Sequence, residues 1–257
     1  GFSIHDAFNP NSTLIPWNRS NGITSAITLP RNTSSPIGGL GSFFVLDSNL
    51  NIDSKQDMVM IGRIGGSSSS SRSEMLSLTD DILSFASSIS AKDVRTNSDI
   101  DSLIDSSSIA DYLELKPRDV KALFKLVNEN IPLMISSNRA SDILKLIELK
   151  KKYNLNLIIM GAQEATLVSR QLADSKIPLV VNPINNIPHS FDELAANKNL
   201  SSRLEKAGVL MMFNYGSHNT HLMRQGAGIA VANGMSYGGA IRALTSNVAS
   251  SFNLENR

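Results

Sequence analysis

Apolar positions along this chain follow two different periods, and the points where the period changes mark out its elements. From Pro117 the pattern is clearest: Val120, Leu123, Phe124 and Val127 recur at i, i+3, i+4 and i+7, a helix with Pro117 in its first turn. A strand at Leu133–Ile135 follows, and then Asn138 is placed to cap a helix carrying Ala140, Ile143, Leu144 and Ile147 on one face. Asp142 lies in the first turn of that helix, where a negative charge is favourable. The alternation continues with strand Leu157–Met160, helix Gln163–Ala173, strand Leu179–Val181, a looser helical stretch Phe191–Lys206 and strand Val209–Phe213. Two helices close the chain, Leu222–Asn233 and Tyr237–Thr245; Asn233-Gly234 stops the first and Ser236 caps the second.

The first half is less regular. Caps at Asn9–Ser12 precede a helix at Leu14–Arg19, which Asn21-Gly22 ends. Ile23–Leu29 is a β-rich run closed by Pro30 and reads as a buried strand. Asn32–Gly41 reads as a turn-rich loop; its glycines can bring backbone amides near an anion, but it lacks the lysine and following helix of a P-loop. Phe43–Leu46 and Met58–Ile61 are further short strands, and Met75, Leu78, Ile82 and Phe85 predict a helix over Met75–Ser88. Gly62–Ser73, with Gly65-Gly66 and five consecutive serines, reads as a solvated spacer whose position after a strand also suits a lid. Ser90–Ser108 is polar and carries no clear period.

Strand and helix alternating without hairpin signals predict parallel strands shielded by helices, an α/β fold. Unit length fits a (β/α) barrel and an open doubly wound sheet equally well. Either architecture puts its chemistry in the loops after the strands: Ser136–Arg139, Gly161–Glu164, Asn182–His189 and Asn214–His221. The 257 residues are enough for a large core and are read as one domain, 1–257. With 24 basic and 23 acidic residues the net charge is +1, which gives no field favouring nucleic acid or an anionic membrane. No apolar run approaches the length of a membrane span. Cysteine is absent, so disulfides, thiolate metal sites and a Cys nucleophile are excluded within the sequence. Nothing in the sequence indicates a compartment.

Arg224-Gln225-Gly226-Ala227-Gly228, Ala230-Val231-Ala232-Asn233-Gly234-Met235 and Ala240-Ile241-Arg242-Ala243-Leu244-Thr245-Ser246-Asn247 resemble the closing βα unit of the amidohydrolase superfamily, especially its imidazolonepropionase-like branch. Asn247-Val248-Ala249 stands where that branch has Asn-Pro-Ala. Asn21-Gly22-Ile23-Thr24-Ser25-Ala26 is similar to an early strand of the family; Ile131–Ile143 and the unit around Met160–Ala165 resemble its fifth and sixth barrel strands. The resemblance implies a TIM-like (β/α) barrel of amidohydrolase type, incomplete here, with the first strand and the family's small β-sandwich outside the chain. It also implies divalent metal, zinc first, activating water against an amide, usually a cyclic one. Family ligands are an H-x-H on the first strand, histidines ending the fifth and sixth, and an aspartate on the eighth. Those positions hold Ser136 or Ser137, Met160, and Asn214 or Tyr215 here, and no H-x-H occurs. Serine and asparagine bind zinc poorly, and a thioether suits only soft metals.

His218 and His221, at i and i+3, have a spacing that can chelate, and they are the candidate metal ligands; ordinary polar loop histidines give the same pattern. Glu164 and His218 are the candidate catalytic groups, although Glu164 equally suits a first-turn acid. Arg139, His189 and Asn214 are candidate substrate contacts, with Arg139 and Asp142 also reading as a cap and ion pair. Met211, Met212, Met223 and Met235 read as core filler. The expected function is hydrolysis of a carbon–nitrogen bond in a small molecule. The alternative is an inactive barrel that binds a small molecule or a protein. Expected partners are the substrate, a second copy, or the part of the barrel outside the chain; nucleic acid and membrane are not expected.

Overall fold

The computed structural model describes residues 1–31, 35–47, 50, 52–66, 71–216 and 219–256. Most of the serine run and His218 lie outside the described residues. Seven strands form one sheet: β1 (Ser25–Thr28), β2 (Ile37–Val45), β3 (Ser54–Arg63), β4 (Leu133–Ser137), β5 (Leu157–Gly161), β6 (Leu179–Val181) and β7 (Met211–Phe213). Their spatial order is their sequence order, β1 to β7. A doubly wound sheet reverses direction at a switch point. Monotonic order instead sends every crossover the same way and puts the helices on one face, as in a barrel. Of the two architectures open to the sequence, the sheet takes the barrel-like one, curled into a half-barrel with β1 and β7 as its edges.

β3 to β7 are parallel, as the alternation predicts, whereas β1, β2 and β3 pair antiparallel. This start departs from the sequence reading. The glycines at 38, 39 and 41 lie inside β2 and not in a loop. Gly41 is required there: a Cβ would stand 2.8 Å from Val59 and 2.9 Å from the Thr28 carbonyl. β1 is an edge strand with half-exposed residues, so it is not the buried strand expected at Ile23–Leu29.

Strand residues alternate between two cores. Outward, Met60, Leu133, Ile135, Leu157, Ile159, Leu179, Val181, Met211 and Phe213 join the large core beneath the helices. Inward, Val59, Met134, Ile158, Val180 and Met212 form a smaller cluster with Phe43, Phe252 and Leu254. Two apolar faces explain why these strands read as unbroken hydrophobic runs.

The helices are α1 (Leu14–Ser20), α2 (Arg72–Ser88), α3 (Asn97–Asp105), α4 (Ser108–Tyr112), α5 (Pro117–Asn128), α6 (Ala140–Tyr153), α7 (Ser169–Asp174), α8 (Leu200–Lys206), α9 (Met223–Ala232), α10 (Tyr237–Leu244) and α11 (Ser246–Ser251). α3 occupies part of the polar stretch left unassigned, and Thr96 and Asp99 close a reciprocal capping box at its start. The helix expected at Gln163–Ala173 divides into a 3-10 turn at Ala165–Val168 and α7, and only Leu200–Lys206 of the looser stretch is helical. Gly234, at φ +94°, ends α9, and Ser236 caps α10 by accepting the Gly239 N–H. No helix among the described residues is long and apolar enough to cross a membrane.

Candidate active site

The inner face of the half-barrel bounds a cavity of about 1950 Å³. That is roughly twice the upper end of ordinary small-molecule pockets, about 1,000 Å³. Pleating decides which residues enter it. Arg63, Ser136 and Met160 lie in one row across β3, β4 and β5, because Arg63 pairs with Ser136 and Ser136 with Met160, and all three line the cavity. Ser137 points to the opposite face, where its hydroxyl is buried without a partner among the described residues. Ser136 is therefore the serine that stands at the mouth. Asn214, just past β7, also lines the cavity, and its N–H donates to the Val181 carbonyl at 3.0 Å.

His221 also lines the cavity. The Trp17 indole Nε1–H donates to its Nδ1 at 3.3 Å, with the rings edge to face. Indole nitrogen can only donate, so Nδ1 must carry the lone pair. In the neutral ring Nε2 then holds the proton, and His221 offers the cavity a donor. α1 carries Trp17 to this contact and lines the cavity with Leu14, Ile15 and Asn18.

The other nominated residues meet outside the cavity, in a clamp over the ends of β4 and β5. Glu164 accepts the Ala140 N–H at 3.0 Å through Oε2 and the Ala195 N–H at 3.2 Å through Oε1. It thus caps α6 from the neighbouring unit, and Arg139, at the N-cap position, has no side-chain capping bond. Asn138, expected to cap this helix, instead donates to Glu193 Oε1 at 2.7 Å. Arg139 Nη2 donates to Asp192 Oδ1 at 2.8 Å. His189 contributes its backbone N–H to Glu193 Oε2 at 3.2 Å. Arg72 joins the clamp from the start of α2: Nη2 donates to both Asp192 oxygens at 2.7 and 2.8 Å, and Nη1 donates to Asp142. Gly161 fits beneath at φ +91°, a conformation that suits glycine, and a Cβ there would collide with Asn138 Oδ1.

These carboxylates differ in character. The hydrogen bond from Arg72 holds Asp192 below its ordinary value, against some burial and with help from the Gly66 N–H. Burial pushes Asp142 above its ordinary value despite the attraction of Arg72 and Arg139. Together the clamp fixes the stretch 182–199 against α2 and α6.

Sequence reasoning passed over Arg63, Arg72 and Asp192. The signal for Arg63 was present: Val59, Ile61 and Arg63 share one face of a strand at period two. Arg72 and Asp192 are 120 residues apart, and no local pattern joins them.

The described residues that face the cavity do not fit zinc. At the strand ends they offer a guanidinium, a hydroxyl, a thioether and an amide, none of them a good partner for that ion. Among the described residues no three of His, Cys, Asp and Glu stand close enough to hold a metal. The fixed charge of Arg63 next to Ser136 opposes a divalent cation there.

No family model matches the sequence, and no curated protein matches it. Among solved structures, the crystal structure of an amidohydrolase from Thermotoga maritima MSB8 is similar, with a TM-score of 0.78 and 22% identity over 98% of this chain and 67% of that chain. The chain thus has the fold of that amidohydrolase.

Proposed function

We propose that this protein is a hydrolase of amidohydrolase type, acting on a carbon–nitrogen bond of a small molecule, a cyclic amide in the first instance. The observation that carries this reading is the fold likeness over 98% of the chain, with a cavity at the C-terminal ends of the parallel strands. Chemistry in α/β barrels sits at that end.

Three groups at this mouth suit hydrolysis. Arg63 can hydrogen-bond a carbonyl oxygen as it gains negative charge. His221 can donate a hydrogen bond from Nε2 to a substrate oxygen, as a neutral imidazole does. Ser136 is placed to orient substrate or water beside Arg63. Metal-activated water, the other half of the family resemblance, would need ligands that the described residues do not supply, so no step is assigned to it. His218 belongs to the same reading as a candidate base or ligand and lies outside the described residues.

The test is hydrolysis of a panel of lactams, cyclic imides and linear amides by purified protein, with Arg63→Gln alongside. Turnover that the substitution lowers by roughly a hundredfold or more is expected, the scale of losing one oxyanion donor. The substituted family ligand positions, Ser136, Met160 and Asn214, favour one second reading, a barrel that binds without turnover. Folded protein inert on the whole panel would point to it.

A further inference from the structure

The outer helical layer carries a second concavity. α2 and α4 are in contact, and between them lies an open groove of about 570 Å³. That is within the ordinary range of small-molecule sites, roughly 300–1,000 Å³. None of its lining residues lines the inner cavity. Asp81, Ser84, Phe85 and Ser88 recur at i, i+3, i+4 and i+7, so α2 presents them on one face. α4 brings Ser108, Ile109 and Tyr112 to the same groove. Its floor is apolar, because Phe85 belongs to the main core and Ile109 packs against that core half-buried. Tyr112 is 68% exposed, which leaves most of its ring open to a ligand.

The polar groups of this region fall into two sets. Ser87, Ser88 and Ser106 return their hydroxyls to the Leu83, Phe85 and Leu103 carbonyls, and Ser107 accepts the Ala110 N–H. The side chains of Asp81, Ser84, Ser108 and Tyr112 have no hydrogen-bond or ion-pair partner among the described residues. Asp80, one position earlier on α2, has its charge met by Lys152 at 2.8 Å. No lysine or arginine lines the groove, and Asp111, exposed beside Tyr112 in sequence, adds negative charge on the α4 side.

An unpaired carboxylate beside an open aromatic ring, over an apolar floor, matches an organic cation. We propose that the groove between α2 and α4 is a second binding site, one for a small organic amine with its ammonium group carried on an apolar body. Asp81 accepts charge-assisted hydrogen bonds from the ammonium. Tyr112 offers the face of its ring to the same charge. Ser84 and Ser108 supply further acceptors, and the apolar body lies over Phe85 and Ile109. An anion is repelled here, since the groove has a carboxylate and no basic residue to meet it. The groove is separate from the mouth, and its ligand is independent of the hydrolase reading.

The experiment is titration of the purified chain with phenethylamine and with its neutral isostere 2-phenylethanol, followed by calorimetry and by amide NMR, at low and at high salt. Wild type should bind the amine at about millimolar concentration and at least roughly fivefold more tightly than the alcohol, a charge-assisted bond being the difference. That preference should fall with salt, and the amide shifts should move at Ser84, Ser108 and Tyr112. Asp81→Asn should bring the preference near one without shifting the melting temperature. Tyr112→Ala should weaken amine binding severalfold. Asp6→Asn, which removes a carboxylate 87% exposed elsewhere, should keep the whole preference. Equal binding of the two probes, no saturable amine binding at millimolar concentration, or an undiminished preference in Asp81→Asn would each overturn the proposal. Shift changes confined to the inner cavity, at Met134 and Met212, would overturn it too. Should Asp81→Asn fail to fold, unaltered amine binding in Tyr112→Ala together with no salt dependence in wild type would do the same.

Discussion

Glu164 and His221 are each a single residue whose neighbours decide what it can do. Both oxygens of Glu164 already accept backbone N–H groups, and it is 8% exposed. Glu164→Gln replaces one acceptor oxygen with a donor that faces an N–H. A loss of about 1–3 kcal/mol is expected, the cost of leaving a buried donor unmet, readable by denaturant unfolding. A variant of wild-type stability that had lost turnover would return Glu164 to the chemistry. For His221 the expectation is spectroscopic. Nitrogen NMR should find the ring protonated at Nε2, and Trp17→Phe should turn it into a mixture of tautomers. A ring protonated at Nδ1 in wild type would contradict the donor role. Residue type and spacing made both candidates legible in the sequence, but not their roles. A first-turn acid looks alike whether it serves its own helix or the previous one, and only the pairing of β4 with β5 brings Glu164 to Ala140.

At the scale of elements, the clamp that holds 182–199 is built from charge and should answer to pH. Asp192 has its value lowered, chiefly by Arg72, so its contribution is complete above the unfolded carboxylate range, near pH 4, and is lost as pH falls through the folded value. Asp80 behaves the same way through its hydrogen bond from Lys152. Asp142 has the opposite sign: its value is raised by burial, so protonation favours the fold and part of that stability is lost as pH rises through its titration. Asp192→Asn should therefore lower stability at neutral pH by about 1–3 kcal/mol and flatten the acid limb of the stability curve. An acid limb as steep as wild type would show that the clamp does not control it. The elements themselves were legible wherever helical period and caps coincide, as in α5, α6 and α10. β2 was not, because its glycines look like turn residues. Gly41 serves close approach between neighbouring strands, a demand made by partners distant in sequence. The antiparallel start escaped for a related reason: the polar stretch between β2 and β3 holds no short turn signal that would mark a hairpin.

Across the whole molecule, one feature of the sequence carried most of the fold. Strands apolar on both faces, separated by amphipathic helices, demand a sheet covered outside and filled or lined inside. The monotonic strand order then makes that sheet curl toward a barrel. With β1 and β7 unpaired to each other, α1, α10 and α11 help to bound the inner face, and the result is a wide cavity where a closed barrel would have a narrower one. The fold was legible because burial on both faces leaves its mark on the parallel strands β4 to β7. The site was not, because no local pattern joins its residues. Arg63, Ser136, Met160 and Asn214 take meaning only once the fold brings them to one mouth.

Hydrolytic turnover is the most direct test of the central claim. The measurement is release of amine or ring-opened acid from lactams, cyclic imides and linear amides, by folded wild-type protein and by Arg63→Gln. Turnover in wild type, cut by roughly a hundredfold or more in the variant, is the predicted result. A folded wild-type protein that hydrolyses none of these compounds above the uncatalysed rate would contradict it.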